Sequence, residues 1–302
     1  SSETWERDLG DKPNLVFSPR VHQGAKLLDP SYLAARFREQ GLSATGLNNY
    51  LLCPINYLFT NLLHVIQIRN KHTMYGTAVH GALEDFFNRY KTGEQVALEV
   101  LLKSFERFLA HQPLGEHDLA TSLERGKRAL SGWFRTYANP PAGGWPNSII
   151  NEYKVPGCHL SDDLKVTGKV DKIEFLGGAK IQVVDYKTMK PKSRREILGE
   201  TKSSTGDIYR QLIFYKILIE ECEKDRFQVS SAMIDFVEPA DLSTKLGAGK
   251  YKREVFEIKP EDEQNLRETL NQVAQEVISG EFLNKACGLP DCPGCKLWRM
   301  MK

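Results

Sequence analysis

A pair of strand-like segments joined by two glycines constrains the fold of this chain more than any other feature. Residues 164–176 and 180–186 are rich in apolar and β-branched residues, and Gly177-Gly178 lies between them. Two glycines between such runs are typical of a tight β-hairpin turn. The second segment ends in Asp185, with Lys187 two residues later. We therefore predict an antiparallel strand pair with an acidic and a basic side chain at the end of its second strand.

The order of the remaining elements indicates the fold class. Their periodicity predicts helices before the hairpin and an alternation of strands and helices after it. The predicted helices cover residues 76–90, 94–110, 117–137, 207–221 and 260–279, after a helical segment from residue 43 that Cys53-Pro54 interrupts, and the predicted strands outside the hairpin cover 149–155, 227–237 and 251–258. This order is typical of an α/β fold with a mixed central sheet flanked by helices and a helical N-terminal elaboration. We predict a connecting segment over residues 1–42 and one domain over residues 43–302.

Composition and charge exclude several classes of protein. The 41 Lys and Arg residues nearly balance the 39 Asp and Glu residues, which excludes a strongly basic nucleic-acid tail but allows a basic groove. No apolar run approaches the roughly 20 residues of a membrane span, and the N-terminus has no apolar signal segment. We therefore expect no membrane partner and a cytoplasmic location. The chain begins with Ser1, and we expect it to be part of a longer polypeptide.

Two acidic residues of the hairpin form the core of a candidate site. Asp171 precedes Gly177 by six residues and Asp185 follows Gly178 by seven, so the two carboxylates can lie on neighbouring strands near the same end. Close carboxylates stay ionised together when a cation lies between them. The alternation of a strand also places Lys187 on the same face as Asp185. The alternative for each acid is an ordinary ion pair at the strand surface, with Lys172 or Lys187 as the partner.

Helical spacing indicates two further groups of candidate residues. His80 follows Gly76 on a predicted helix, and a neutral imidazole can supply one metal ligand. Gln211 and Tyr215 are four residues apart on one face of a later helix, and an amide and a phenol suit contacts to phosphate or to a base. Glu152, on the strand before Asp171, is a further acidic candidate. The alternatives are a core or surface histidine, a solvated Gln211 and a solvated Glu152.

Taken in order, these motifs resemble a known enzyme family. The chain contains Gly-x-x-x-His at 76–80, Gly-x-x-Asp at 168–171, Asp-Tyr-Lys-Thr at 185–188 and Gln-x-x-x-Tyr at 211–215. This set is similar to that of the PD-(D/E)XK nuclease superfamily, in particular the RecB-like and AddB-like nuclease domains of helicase–nucleases. It also resembles the CRISPR-associated RecB-like exonucleases. The resemblance covers roughly residues 43–298.

The resemblance implies a fold and a set of site residues. The fold would be restriction-endonuclease-like. The implied ligands of Mg²⁺ or Mn²⁺ are His80, Asp171, Asp185 and the backbone carbonyl of Tyr186. Lys187 would orient or help to deprotonate the attacking water, and Gln211 and Tyr215 would hold the phosphate or a base of the substrate.

The resemblance also implies a function. It indicates a metal-dependent DNA nuclease, an exonuclease acting on single-stranded ends in repair and recombination in a prokaryotic nucleoid. The chain has no Gly-x4-Gly-Lys-Ser/Thr motif for ATP. We therefore expect a helicase motor as a partner in the same parent polypeptide or complex. Two alternatives stay open: a catalytically silent nucleic-acid-binding module of the same fold, and a zinc-stabilised interaction domain.

The cysteines form a second motif. Cys287, Cys292 and Cys295 crowd together near the C-terminus, and Cys53 lies before the Gly-x-x-x-His helix. In the AddB-like branch, four such cysteines ligate a [4Fe–4S] cluster that joins the two ends of the domain, so the resemblance implies this cluster here. The spacing is x4 then x2, however, where the family has x2 then x5. Cys-x2-Cys is the commoner signature of Zn²⁺, so zinc and no metal are alternatives. We predict that the other two cysteines, Cys158 and Cys222, are incidental thiols.

A basic segment follows the Asp-Tyr-Lys-Thr motif. Arg194 and Arg195 lie in a stretch of residues 187–210 that contains seven basic and three acidic residues. We predict a mobile basic loop that contacts phosphate, because it comes directly after the candidate site. The alternative is a solvated surface loop.

Overall fold

The structure, a computed structural model, describes residues 27–65, 70–94, 96–138, 144–146, 148–241 and 250–301. The helices are α1 (Pro30–Gln40), α2 (Ala44–Leu52), α3 (Pro54–Tyr57), α4 (Lys71–Lys91), α5 (Leu98–Ala110), α6 (Glu116–Tyr137), α7 (Arg194–Leu198), α8 (Asp207–Cys222), α9 (Pro260–Ser279) and α10 (Pro293–Met301), with a π-helical turn at Leu58–Leu62 and a 3₁₀ turn at Glu281–Asn284. The strands are β1 (Ile149–Ser161), β2 (Leu164–Gly177), β3 (Lys180–Lys187), β4 (Gln228–Phe236) and β5 (Lys252–Phe256). Residues 1–26 of the predicted connecting segment and the Gly-rich residues 242–249 lie outside the described residues.

The five strands form one mixed sheet in the order β1-β2-β3-β4-β5. All neighbouring strands are antiparallel except β3 and β4, which are parallel and are connected through α7 and α8. The predicted hairpin is confirmed, because β2 and β3 pair up to Gly177 and Lys180. The predicted α/β class with a mixed sheet is confirmed with it.

Alternating side chains of the sheet enter two separate apolar cores. Val183 belongs to a core with the apolar residues of α8 and α9, whereas its neighbour Val184 belongs to a core with those of α4, α5 and α6. Both valines are fully buried. This pattern is expected of a strand with helices on both of its faces. Helices thus cover both faces of β3, and the end of β3 is where the candidate site lies.

Local capping residues set where several elements begin. Ser43 accepts a hydrogen bond from the Gly46 amide and caps α2, as predicted. Helix α4 begins at Lys71 rather than at residue 76, because the Asn70 side chain caps it by accepting from the amides of His72 and Thr73. Strand β1 continues past Pro156 to Ser161, beyond the predicted end at residue 155. It is an edge strand, where a proline is tolerated.

The segment before residue 43 contributes one helix to the fold. Asp29 caps α1, and its residues Leu33 and Phe37 are fully buried in the core that contains α8 and α9. Leu42 forms a β-bridge with Val166 of β2. Among the described residues, no helix is both long and apolar enough to cross a membrane.

The prediction that Cys158 and Cys222 are incidental thiols is wrong. The two residues form a disulfide, with their Cα atoms 5.3 Å apart. They are 64 residues apart in sequence, and the sequence gives no local motif for the pairing. Strand β1 and the end of α8 bring them together, because α8 packs across the sheet.

Candidate active site

Three acidic residues lie in one row across the sheet. Strand β1 pairs Asn151 with Lys172 and strand β2 pairs Lys172 with Val184, so Glu152, Asp171 and Asp185 occupy consecutive places on β1, β2 and β3. Asp171 and Asp185 therefore lie on adjacent strands, as the spacing about the turn predicts. The backbone amide of Tyr186 donates to Asp171 Oδ2 at 2.9 Å, which ties the two strands together at this point.

Asp185 and Lys187 form an ion pair at the end of β3. Lys187 Nζ lies 2.8 Å from Asp185 Oδ2 and donates to Gln211 Oε1 at 2.7 Å. Gln211 Nε2 in turn donates to the hydroxyl of Tyr215 at 2.6 Å. The face of α8 that carries Gln211 and Tyr215 therefore points at the end of β3. The hydrogen bonds among Lys187, Gln211 and Tyr215 therefore hold the lysine beside the acid.

Helix α4 brings His80 to the same place. The face of α4 that carries Gly76 lies against the residue after β3, because a Cβ atom added at Gly76 would be 3.2 Å from Thr188 Oγ1. His80 is one helical turn further along that face. Its Nδ1 atom is 3.4 Å from Asp171 Oδ1. The glycine of the Gly-x-x-x-His motif therefore allows the helix to approach closely enough for its histidine to meet the acid of β2.

Glu152 completes a second group of possible ligands. Ligand atoms of His80, Glu152 and Asp171 all lie within 4.8 Å of one another. Glu152 has a positive φ of 48°, a conformation that is uncommon for residues other than glycine. Its carboxylate also forms an ion pair with Lys169. The structure thus places Glu152 beside His80 and Asp171, whereas Asp185 is paired with Lys187.

The electrostatics of the site follow from burial and from close charges. Burial lowers the pKa of His80, but its hydrogen bond to Asp171 and the charge of that acid outweigh burial and raise the pKa above its usual value. For Asp171, burial is outweighed by the hydrogen bond and charge of His80, and the pKa is lowered. Burial raises the pKa of Asp185 despite Lys187 and raises that of Glu152 despite Lys169. Two of the three acids are therefore costly to ionise without a further cation.

A divalent cation fits this set of groups. Asp185 is 2% exposed, and its Oδ2 atom is buried without a hydrogen-bond donor in the described part of the chain, although Lys187 is close to it as an ion pair. Carboxylate oxygens are preferred ligands of Mg²⁺ and Mn²⁺, and imidazole is also acceptable to Mn²⁺. His80, Glu152 and Asp171 offer such ligands at one place, and Asp185 lies next to Asp171 on the neighbouring strand. The carbonyl of Tyr186 as a ligand stays a prediction.

The site opens into a cleft of about 730 Å³. The cleft is lined by all the site residues on β2, β3, α4 and α8 and by seven further residues, all polar except Met189, namely Thr45, His72, Thr73, Arg125, Thr188, Met189 and Lys190. Arg125 of α6 was not predicted, because no motif surrounds it. Its guanidinium donates to Glu238 Oε1 at 3.0 Å and to the carbonyl of Thr188 at 3.2 Å. These contacts fix a positive charge at the wall of the cleft.

The predicted basic loop differs from the structure. Residues 194–198 form helix α7, because the side chains of Ser193 and Glu196 form a capping box at its start. Arg194 donates to Glu254 at 3.0 Å and lies over the ring of Phe256, and Arg195 is mostly exposed beside Glu200. Neither arginine is among the residues that line the cleft. The prediction of a mobile loop at these residues is wrong, and their contact with phosphate stays a prediction.

The four remaining cysteines come together away from the cleft. Cys53 lies between α2 and α3, Cys287 and Cys292 lie in the loop before α10, and Cys295 lies in its first turn. Their sulfur atoms all lie within 4.8 Å of one another. Burial raises the pKa of Cys53 to about 12 and raises that of Cys295. For Cys287, burial is outweighed by the amide of Leu289 and the neighbouring cysteines, and its pKa is lowered.

Comparison with known proteins decides the family. The model of the PD-(D/E)XK nuclease superfamily matches residues 41–300. The chain belongs to the PD-(D/E)XK nuclease superfamily. This confirms the restriction-endonuclease-like fold and the family that the motifs at 76–80, 168–171, 185–188 and 211–215 indicate. Members of this superfamily use divalent metal ions.

One solved structure gives a weaker likeness. A crystal structure of a "Putative exonuclease" from Eubacterium rectale is 13% identical, with a TM-score of 0.46, over 86% of this chain and 89% of that chain. No curated protein matches the sequence. The family assignment therefore rests on the match over residues 41–300 and on the residues of the cleft.

Proposed function

We propose that this member of the PD-(D/E)XK nuclease superfamily is an active, metal-dependent nuclease that hydrolyses phosphodiester bonds in DNA. The observation that supports this most is the row of Glu152, Asp171 and Asp185 across three adjacent strands, with His80 beside Asp171 and Lys187 beside Asp185. A purely structural cluster of acids would be exposed or fully paired. Here Asp185 is buried and Asp171 half-buried at the wall of a cleft, and the pKa of Asp185 stays raised although Lys187 is paired with it.

Each residue of the site has its own role in the proposed reaction. Asp171, Asp185, His80 and Glu152 would hold Mg²⁺ or Mn²⁺. A divalent cation at this place supplies positive charge to the scissile phosphate and the leaving oxygen and makes a nearby water more acidic. Lys187 lies within 3 Å of both Asp185 and Gln211, so its ammonium is held where it can orient the attacking water. Gln211 fixes the position of Lys187 and is itself oriented by Tyr215.

The positive groups of the cleft suit an anionic substrate. Arg125, Lys187 and Lys190 contribute to its wall, and the hydroxyls of Thr45, Thr73 and Thr188 are possible donors to phosphate oxygens. Arg195 is exposed nearby in sequence and is available for an outer contact. This distribution explains how a chain with a net charge of only +2 can bind a polyanion.

The finer parts of the function extend this proposal. We expect an exonuclease that acts on single-stranded ends in DNA repair and recombination, joined to a helicase motor in a prokaryotic cytoplasm. The support for these parts is the similarity of the motifs to RecB-like and AddB-like domains.

The test is a cleavage assay with end-labelled single-stranded and double-stranded DNA, with Mg²⁺, Mn²⁺ or a chelator. We expect cleavage that requires the metal, with single-stranded DNA as the better substrate and mononucleotides or short products from the ends. A catalytically silent module would bind the same DNA without cutting it under any of these conditions. Internal cleavage of circular single strands would retain the nuclease and contradict the exonuclease assignment.

A further inference from the structure

The four free cysteines are closer together than the cluster implied by the family resemblance allows. Cys53 Sγ is 3.5 Å from Cys295 Sγ and 3.7 Å from Cys292 Sγ, and Cys287 Sγ is 3.7 Å from Cys295 Sγ. All four sulfurs lie within 4.8 Å of one another. These separations are also far longer than the roughly 2 Å of a disulfide bond. The sulfurs are therefore neither bonded in pairs nor widely spread.

The two candidate groups require different spacings of the sulfurs. Four thiolates at about 2.3 Å from one tetrahedral ion are about 3.8 Å from each other. In a [4Fe–4S] cluster each thiolate binds a different iron at a corner of a cubane, so neighbouring thiolate sulfurs are about 6 Å apart. Three of the six sulfur pairs, at 3.5–3.7 Å, agree with the first arrangement, and all six, at no more than 4.8 Å, are shorter than the second requires. A cubane does not fit between these sulfurs without an outward movement of each by more than an ångström.

The surrounding backbone restricts such a movement. A Cβ atom added at Gly294 would be 2.4 Å from the Cα atom of Asn56, so α10 and α3 are in direct backbone contact beside the sulfurs. The Gly294 amide also donates to Asn56 Oδ1 at 3.2 Å, and the Asn56 amide donates to Cys53 Sγ at 3.3 Å. Amide donors of this kind stabilise a metal-bound thiolate. The close packing therefore holds the sulfurs at the spacing of a single ion.

We propose that Cys53, Cys287, Cys292 and Cys295 bind one tetrahedral zinc ion in place of a [4Fe–4S] cluster. The site joins α3 to α10 and thus links residues that are 242 positions apart. Binding of Zn²⁺ to four thiols releases four protons and involves no electron transfer, and neither inorganic sulfide nor iron is consumed. This assignment rests on the sulfur positions and is independent of the nuclease proposal.

The first test is metal analysis of the whole chain, purified without air from cells supplied with both iron and zinc. After treatment with a mild chelator, we expect about one zinc per chain and neither iron nor acid-labile sulfide. About four iron and four sulfide per chain, with broad visible absorption, would overturn the proposal. A preparation without bound metal would also overturn it.

The second test distinguishes the thiolate site from the acidic cleft. Metal-free protein titrated with Co²⁺ should saturate at one ion per chain with strong thiolate-to-cobalt charge-transfer bands and the visible bands of tetrahedral cobalt, both lost when Zn²⁺ is added. Cobalt bound by carboxylates and His80 lacks the charge-transfer bands. Assembly of a stable four-iron cluster on the metal-free protein from ferrous iron and sulfide would contradict the assignment.

A pair of variants provides the control. Cys292→Ser should lose the charge-transfer bands, whereas the double variant Cys158→Ser/Cys222→Ser, which keeps all four free cysteines, should retain them. If Cys292→Ser does not fold, thiol titration of the wild type gives the same information. We then expect zinc release to accompany the modification of four thiols. Modification of these thiols without zinc release contradicts the site.

Discussion

Asp185 is almost completely buried, and its Oδ2 atom lies 2.8 Å from the ammonium of Lys187. Burial raises the pKa of Asp185, and only Lys187 offsets that effect at short range. A buried carboxylate is costly to ionise, and Lys187 does not fully offset that cost, because the pKa of Asp185 stays raised. A bound divalent cation would stabilise the ionised carboxylate further. The burial and raised pKa of Asp185 thus suit a metal ligand better than a residue that serves stability alone.

Lys187 is predicted to act in the reaction rather than in folding. Lys187→Ala removes a 2.8 Å ion pair and a hydrogen bond to Gln211, so cleavage by the folded variant should fall by about 100-fold or more, and the melting temperature should fall without unfolding the protein at the assay temperature. Lys180→Ala, at the exposed opposite end of the same strand, is the matched control and should cleave normally. Equal loss of activity in both variants would contradict a specific role for Lys187.

Glu152 is predicted to share in metal binding. Glu152→Gln keeps the shape of the side chain but removes a charge from the group formed with His80 and Asp171, so the Mg²⁺ concentration needed for half-maximal cleavage should rise by about 10- to 100-fold. Glu99→Gln, on the exposed surface of α5, is the control. An unchanged Mg²⁺ requirement would leave Glu152 as the partner of Lys169 only.

At the scale of elements, close approaches of helices place the site and the cysteines. Gly294 makes a close contact of this kind outside the cleft, because α10 touches the backbone of α3 there. Gly294→Ala should therefore lower the free energy of unfolding by about 1–3 kcal/mol and weaken metal binding by the cysteines. Gly115→Ala, which has open space around its Cα atom, should do neither. Thermal melts and zinc affinity of the two variants decide between these outcomes.

The disulfide between β1 and α8 closes a loop of 64 residues. By the entropy of the unfolded chain, a cross-link of that length contributes up to about 4 kcal/mol. Cys158→Ser/Cys222→Ser should therefore melt at a lower temperature than the oxidised wild type and at about the same temperature as the reduced protein. Thiol trapping in cells tests the same bond, since disulfides are rare in a reducing cytoplasm. A fully reduced pair in cells would agree with the predicted cytoplasmic location. A fully oxidised pair would contradict that location.

Short motifs and turn chemistry made the hairpin and most of the site residues predictable from the sequence. The Gly177-Gly178 turn fixes the register that aligns Asp171 with Asp185, and helical spacing aligns Gln211 with Tyr215. Other features depend on packing between distant elements. Arg125 and the pairing of Cys158 with Cys222 arise only when α6 and α8 are placed against the sheet, and no local pattern encodes that placement.

At the scale of the whole molecule, the cleft at the end of β3 and the four-cysteine site are two distinct sites. Helices α4 and α8 reach the end of β3 from opposite faces and deliver His80 and Gln211 to the row of acids. The four-cysteine site lies apart from the cleft and joins the N-terminal helices to the C-terminal one. Removal of its metal should therefore reduce stability first and cleavage only through unfolding. Measurement of melting temperature and activity on the same chelator-treated samples checks this order.

The substitution Asp185→Asn tests most directly whether the row of acids is a working catalytic site. The substitution keeps the size of the buried side chain and removes its charge, so the protein should fold and bind DNA while Mg²⁺-dependent cleavage of labelled single-stranded DNA falls by at least about 100-fold. Wild-type cleavage by the folded Asp185→Asn protein, or no cleavage by the wild type with any divalent metal, would contradict the account.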